Sequence, residues 1–283
     1  MAAETKKKKK DTRHNHRPIE GAIKKKKIPK NRAPLGDTRT KKKQKSKNEP
    51  QQTLKTPAII TTVTVDAGSL PAPKQLSFFL NQFQSSNGLK LSPLELQAIK
   101  DTCMLELPEG IDQDAESLGK HIKTGFGKSW KEVLCDGQIL DGKIDPGSPA
   151  VVVVSTSALR SLELLRGLRS LTKDCRAAKL FAKHMKVEEQ VSVLKSRVNI
   201  ASGTPSRIKK LIDMEALGLS RLSVVVFDMH TDAKGYSLFT LPQVSDEFWD
   251  LYRSHFHPLI IEGNLRICLY GPISLPSEPK TDV

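Results

Sequence analysis

The chain has 283 residues and a net charge of +15, but residues 1–50 hold 19 lysines and arginines against five acids and so carry +14 of it, leaving +1 for residues 51–283. That length sets a prior of one or two domains, and a basic arm on a near-neutral body points to an anionic partner. The four cysteines (Cys103, Cys135, Cys175, Cys268) form no CxxC pair or zinc-like cluster, no secretory leader is read, and no apolar run reaches the roughly 18–20 residues of a membrane span. These features set aside disulfide-stapled and membrane-spanning classes; a soluble intracellular protein with free thiols is expected.

Residues 1–57 are nearly free of apolar side chains and cannot repay the conformational entropy of folding, about 1–2 kcal/mol per residue. A disordered Lys/Arg-rich arm is expected there. Residues 58–74 read as a linker containing Pro71 and Pro73, with a strand-like run at 58–66 that forms either an added edge strand or nothing. A folded domain is expected over 75–275 and a short tail over 276–283. Within the domain, Ser92-Pro93-Leu94-Glu95 is a capping box with proline at the first helical position, and predicts a helix to about Met104. Residues 114–134 read as helix broken at Gly125 and Gly127.

The run Pro149–Val154 is apolar throughout and closes on four consecutive valines, the signature of a strand buried on both faces. A helix carrying Leu159, Leu162, Leu165 and Leu168 follows it. Strands are then expected at 179–182, 198–201, 222–228 and 265–270, with helices at 187–197, 205–214 and 245–256. Alternating strands and helices predict an α/β fold with one parallel sheet and helices on both faces. Ligands of such sheets gather at the carboxyl ends of the strands, so the loops after Val154, Ala201 and Asp228 are the ones to watch.

Three motifs lie in or near those loops. In Gly203-Thr-Pro-Ser-Arg207 a strand ends and a helix begins at Pro205, so free amides and Arg207 suit a phosphate; equally, Thr-Pro is simply a good helix start. Asp228 ends a buried strand, where a Mg²⁺-holding aspartate would stand, but Met229 follows it instead of an acid. Thr124-Gly-Phe-Gly-Lys-Ser129 resembles the end of a phosphate-binding loop, with Lys128 and Ser129 as candidate ligands. Ile122 replaces its first glycine, and no buried strand precedes it.

Taken together, residues 149–232 resemble DEAD-box RNA helicases. Pro149–Arg160 is similar to motif Ia, Gly203–Arg207 to motif Ib, and Asp228-Met-His-Thr231 stands where D-E-A-D would be. Ser157-Ala-Leu-Arg160, Lys179–Lys186 with Glu188-Glu-Gln-Val191, and Gly203–Ile208 resemble the Cms-one family, degenerate helicase-like subunits of the 90S pre-ribosomal complex that contains the U-three small nucleolar RNA. The resemblance spans roughly residues 75–275 and implies a single RecA-like, P-loop NTPase-like sheet. It implies RNA-backbone contacts at Thr156, Thr204 and Arg207. Ser157 stands where the helicases have arginine, so Arg160 is the expected substitute, and Lys183, His184 and Lys186 form a further basic cluster that binds RNA or is merely solvated.

The departures argue against a motor. Met229 replaces the motif II glutamate, Gly271-Pro272-Ile273 replaces Ser-Ala-Thr, and no second RecA-like domain is expected. Lys128, Ser129 and Asp228 are then a vestigial nucleotide site, with no catalytic residues, metal or cofactor expected. The implied role is a nuclear and nucleolar ribosome-assembly factor meeting pre-ribosomal RNA, small nucleolar RNA and pre-ribosomal proteins. Two alternatives stay open at this level: a single-domain ATP-binding P-loop enzyme, and a chromatin- or DNA-associated nuclear protein, since duplex DNA also offers phosphates to a lysine-rich arm.

Overall fold

The computed structural model describes residues 62–136, 146–172 and 176–276; the arm expected over 1–57 and all but the first residue of the expected tail lie outside them. In chain order the elements are β1 (Thr62–Asp66), α1 (Ala72–Asn87), α2 (Pro93–Ala98), α3 (Leu118–Phe126), β2 (Val151–Val154), α4 (Ala158–Gly167), β3 (Ala177–Leu180), α5 (Val187–Leu194), β4 (Ile200–Gly203), α6 (Pro205–Asp213), β5 (Val224–Asp228), α7 (Val244–Leu251), α8 (His257–Ile261), β6 (Arg266–Tyr270) and β7 (Pro272–Pro276).

Five strands form one parallel sheet in the order β3-β4-β2-β5-β6. The central strands are buried on both faces, and consecutive residues divide between two cores. Val152, Val154, Val225 and Phe227 face one layer, covered by α1, α5, α6 and α7; Val151, Val153, Val224 and Val226 face the other, covered by α3 and α4. Each fully buried valine stabilises the fold by on the order of 1.5–3 kcal/mol, so the β-branched runs set the position of the whole sheet. A single α/β parallel sheet with helices on both faces is the class the alternation predicted.

The two edges of the sheet are finished differently. Strand β3 alternates exposed and buried residues, and its outward carbonyls at Lys179 and Phe181 accept hydrogen bonds of 2.8 and 3.0 Å from the buried Gln190 side chain. A side chain thus occupies the places where an added strand would pair. Beyond β6, Met104 bridges Ile267 in parallel and Leu105 N–H donates to Ile267 O at 2.7 Å. Residues 104–107 therefore run as a short sixth segment alongside β6.

Several sequence expectations change. The 58–74 linker contains β1 and the start of α1, because Pro71 and Pro73 begin a helix rather than break one. Strand β1 joins no edge of the main sheet but pairs antiparallel with β7. The capping box at Ser92 forms as expected, yet its helix ends at Ala98. Ile99, Cys103, Met104, Leu105 and Leu107 are all buried, and the chain unwinds to insert them. In α4 the core takes Ser161, Leu164 and, just beyond, Leu168, while Leu159 is 61% exposed. Leucines every three residues drift about 60° round a helix per step, so Leu159 and Leu168 cannot share one face. The helix expected at 245–256 is α-helical only to Leu251, then a π turn over Tyr252–Phe256 leads into α8.

Candidate nucleic-acid interface

The sheet register brings Leu180, Gly203, Val154, Phe227 and Leu269 to one level, so the loops that follow them share one end of the molecule. Thr204, Arg207, Lys183, Lys186 and Thr156 all belong to that end. Thr204 precedes α6 without capping it, leaving its hydroxyl free of partners among the described residues. Arg207, half-buried in the first turn of α6, donates from Nη1 to Gln190 Oε1 at 2.7 Å and to Met185 O at 3.3 Å. This clamp ties α6 to the 181–186 loop. It presents Lys183 and Lys186, both exposed, beside it, and His184 in that loop adopts φ 58°. Thr156 follows β2, between the ends of β4 and β5.

Arg160 is turned inward, against the expectation that it faces RNA. Its Nε donates to Asp228 Oδ2 at 2.8 Å, Nη2 to Asp228 Oδ1 at 3.1 Å and Nη1 to Glu163 Oε2 at 3.2 Å. The Asp228 side chain is wholly buried and that of Arg160 is 19% exposed. Burial alone would lower the guanidinium's pKa, but the carboxylates outweigh it and hold it raised. His230 Nδ1 lies 2.8 Å from Asp228 Oδ1 and 2.9 Å from Arg160 Nη2, serving as donor to one or acceptor from the other according to its tautomer. Gly271, at φ 110°, passes so close that a Cβ there would meet the His230 ring at 2.5 Å. Met229 points into the core and is 2% exposed.

The three residues read as a vestigial nucleotide site do not meet. Gly127-Lys128-Ser129 forms an exposed 3-10 turn after α3. Its neighbourhood is anchored at the amino ends of the strands: Arg266, first residue of β6, donates to Gly125 O at 3.4 Å, and Arg221, ahead of β5, to Val133 O at 3.0 Å. Asp228 closes the opposite, carboxyl end of β5.

A further loop at the carboxyl end of the sheet was not legible in the sequence. It is the connection from the 104–107 segment to α3, which the bridge to β6 brings to the carboxyl end. That connection reads Pro108-Glu-Gly-Ile-Asp-Gln-Asp-Ala-Glu-Ser117, with four acids, one glycine and no lysine. Its space is filled from within. Gln113 Oε1 accepts from Gly271 N–H at 2.9 Å, Tyr270 hydroxyl donates to Asp114 O at 2.6 Å, and His121 Nε2 lies 3.1 Å from Asp112 O. Burial drives the Tyr270 phenol's pKa upward, so it stays a protonated donor. Only the bridge of Met104 to Ile267, a tertiary contact, identifies this loop.

A family model described as "U3-containing 90S pre-ribosomal complex subunit" matches residues 3–270. Among curated proteins, human CMSS1 is 29% identical over 236 residues, covering 82% of this chain and 76% of its own. CMSS1 of Xenopus laevis is 37% identical over 125 residues, covering 44% and 45%. CMS1 of Chaetomium thermophilum is 45% identical over 91 residues, covering 31% and 36%. Solved structures with some likeness include the yeast DEAD-box splicing factor Prp28, at TM-score 0.34 and 15% identity, covering 47% of this chain and 28% of that one. A Saccharomyces cerevisiae Dbp5 variant bound to Nup159, Gle1 and ADP scores 0.39 at 12% identity, covering 68% and 45%. The fold assignment rests on the strand order and register rather than on those scores. With the family model spanning nearly the whole chain, this protein belongs to the CMS1 family of U3-containing 90S pre-ribosomal complex subunits and is a ribosome-biogenesis factor.

Proposed function

We propose that this chain works without catalysis, as a nuclear and nucleolar assembly factor that holds pre-ribosomal RNA, small nucleolar RNA and pre-ribosomal proteins. The observation that carries the reading is the sealed Asp228. A Mg²⁺–nucleotide site needs an open carboxylate with room for water-coordinated metal, and here both oxygens are taken by Arg160 inside the protein. The acidic 108–117 loop adds to this, since its charges repel triphosphate where a P-loop would attract it. Thr156, Thr204, Arg207, Lys183 and Lys186 remain at the carboxyl end of the sheet, with hydroxyls and cations suited to the phosphates of a single strand.

The test is cross-linking of the tagged full chain to RNA in cells, with sequencing, alongside titration of the purified full chain with a fluorescent ATP analogue. Reads concentrated on the small-subunit rRNA precursor or its small nucleolar RNA, without saturable ATP binding, are expected. Lys183→Glu with Lys186→Glu should reduce the reads while leaving the fold intact. ATP binding that Lys128→Ala abolishes would overturn the non-catalytic reading, and reads scattered over messenger RNA would overturn the assembly role.

A further inference from the structure

The second helical layer carries a cleft of about 710 Å³ between α3 and α4, lined by Lys120, Lys123, Arg166 and Arg169 together with Glu116 and Glu163. Two glycines make this cleft. A Cβ on Gly167 would lie 1.6 Å from Ala115 O, and one on Gly119 would lie 2.7 Å from Gly167 O. The two backbones thus touch where any larger residue would push them apart. The neighbouring residues Lys120 and Arg166 are brought to the same cleft, and Lys123 and Arg169 extend the row three residues further along each side.

Like charges across a helix–helix groove repel, and here the four cations outnumber the two carboxylates placed among them. No ion pair ties any of the four cations to Glu116 or Glu163 among the described residues, and Glu163 is already engaged by Arg160. Lys123 instead lies 4.7 Å above the Trp130 ring, which holds its charge at the end of the cleft. Four cations against two carboxylates leave the cleft net positive, and such a cleft draws an oppositely charged ligand. The lining offers Ala115 and glycine but no larger apolar side chain, and so no pocket for the side chains of a bound peptide. It offers two guanidinium forks and two ammonium groups, the pairing that suits phosphate oxygens.

We infer that the α3–α4 cleft is a second RNA-contact surface, which grips a phosphodiester backbone without reading bases and stands apart from the carboxyl edge of the sheet. The inference rests on RNA being the partner. It gives the chain two separate grips, one at the strand ends and one on the second helical layer.

The experiment uses the full chain with a poly-uridylate strand, and with poly-glutamate as an acidic-peptide probe. Lysine acetylation is followed residue by residue by mass spectrometry, and affinity is measured against salt. RNA should protect Lys120 and Lys123, and Lys120→Glu with Arg166→Glu should lower the steepness of log K against log salt by about 2. Both substituted residues are exposed, and native circular dichroism confirms that the variant folds. Protection of Lys183 and Lys186 alone overturns the cleft and leaves the proposed function standing. Protection confined to the arm overturns the cleft and the sheet-end contacts together, with the assembly role then resting on the arm. Protection of the cleft by poly-glutamate but not by RNA overturns the inference in favour of an acidic protein partner.

Discussion

Arg160 and Asp228 form a pair that closes the carboxyl end of β5 from within the protein. A buried aspartate at a strand end needs a cation, and here an arginine one layer away supplies it from the protein itself, 2.8 Å distant. Removing one partner of such a pair leaves an uncompensated buried charge, which costs about 3–5 kcal/mol. Arg160→Ala should therefore lower unfolding stability in urea by that order. Arg160→Met combined with Asp228→Asn should recover most of the loss, since no buried charge then remains. An Arg160→Ala variant as stable as the parent would mean that water or metal already serves Asp228. At this scale the sequence was legible in part. Asp228 could be placed at a strand end because the β-branched run before it has no polar break, and Met229 could be seen to replace an acid. The turn of Arg160 toward Asp228, 68 residues along the chain, leaves no local trace.

At the scale of elements, the buried parallel strands were legible because three or four consecutive valines have few other uses. Helix α1 was not, since Pro71 and Pro73 read as linker until its aromatic face is seen packed, with Phe79 against Phe227 at 5.9 Å and Trp249 at 5.6 Å. Strand β7 was hidden for a similar reason. It begins and ends in proline and is held by pairing with β1, some 200 residues earlier in sequence order, and by burial of Ile273 in the core. Gln190 belongs to the same class of cryptic features. It sits in α5 as an ordinary helical polar residue, yet it closes the β3 edge with Nε2 and orients Arg207 with Oε1. Gln190→Ala removes the side-chain donor from two edge carbonyls and leaves Arg207 Nη1 with Met185 O alone, at about 1–3 kcal/mol for each buried group left unsatisfied. The expected outcome is a loss on the order of 2–4 kcal/mol in chemical denaturation, together with concentration-dependent self-association on a sizing column as the edge opens. RNA affinity should fall as well, because Arg207 and the Lys183–Lys186 loop lose their common anchor. Unchanged stability would show that the edge is satisfied by water and that Gln190 is not its lock.

For the whole molecule, the question is how a charge placed almost entirely in residues 1–50 cooperates with a near-neutral folded body. The arm has no aromatic residue over 1–57, so it offers no base stacking, and its contacts should be electrostatic and indifferent to sequence. The folded part balances its cations with acids but holds them in fixed positions, at the sheet end and in the α3–α4 cleft. Such a division assigns most of the salt dependence to the arm and most of the selectivity to the fold. If about eight arm lysines meet phosphates of a single strand, log K should fall with log salt at a slope near −6 from the arm alone. Changing Lys6–Lys10 and Lys24–Lys27 to glutamine in the full chain removes nine of the arm's 19 basic charges. The slope should then flatten by about half of that amount, while the preference for one RNA over another of equal length survives. If the slope is unchanged, the arm is a solvated tail and the fixed cations of the fold carry the affinity. If the preference disappears along with the slope, selectivity resides in the arm, and the folded domain serves chiefly to dock protein partners.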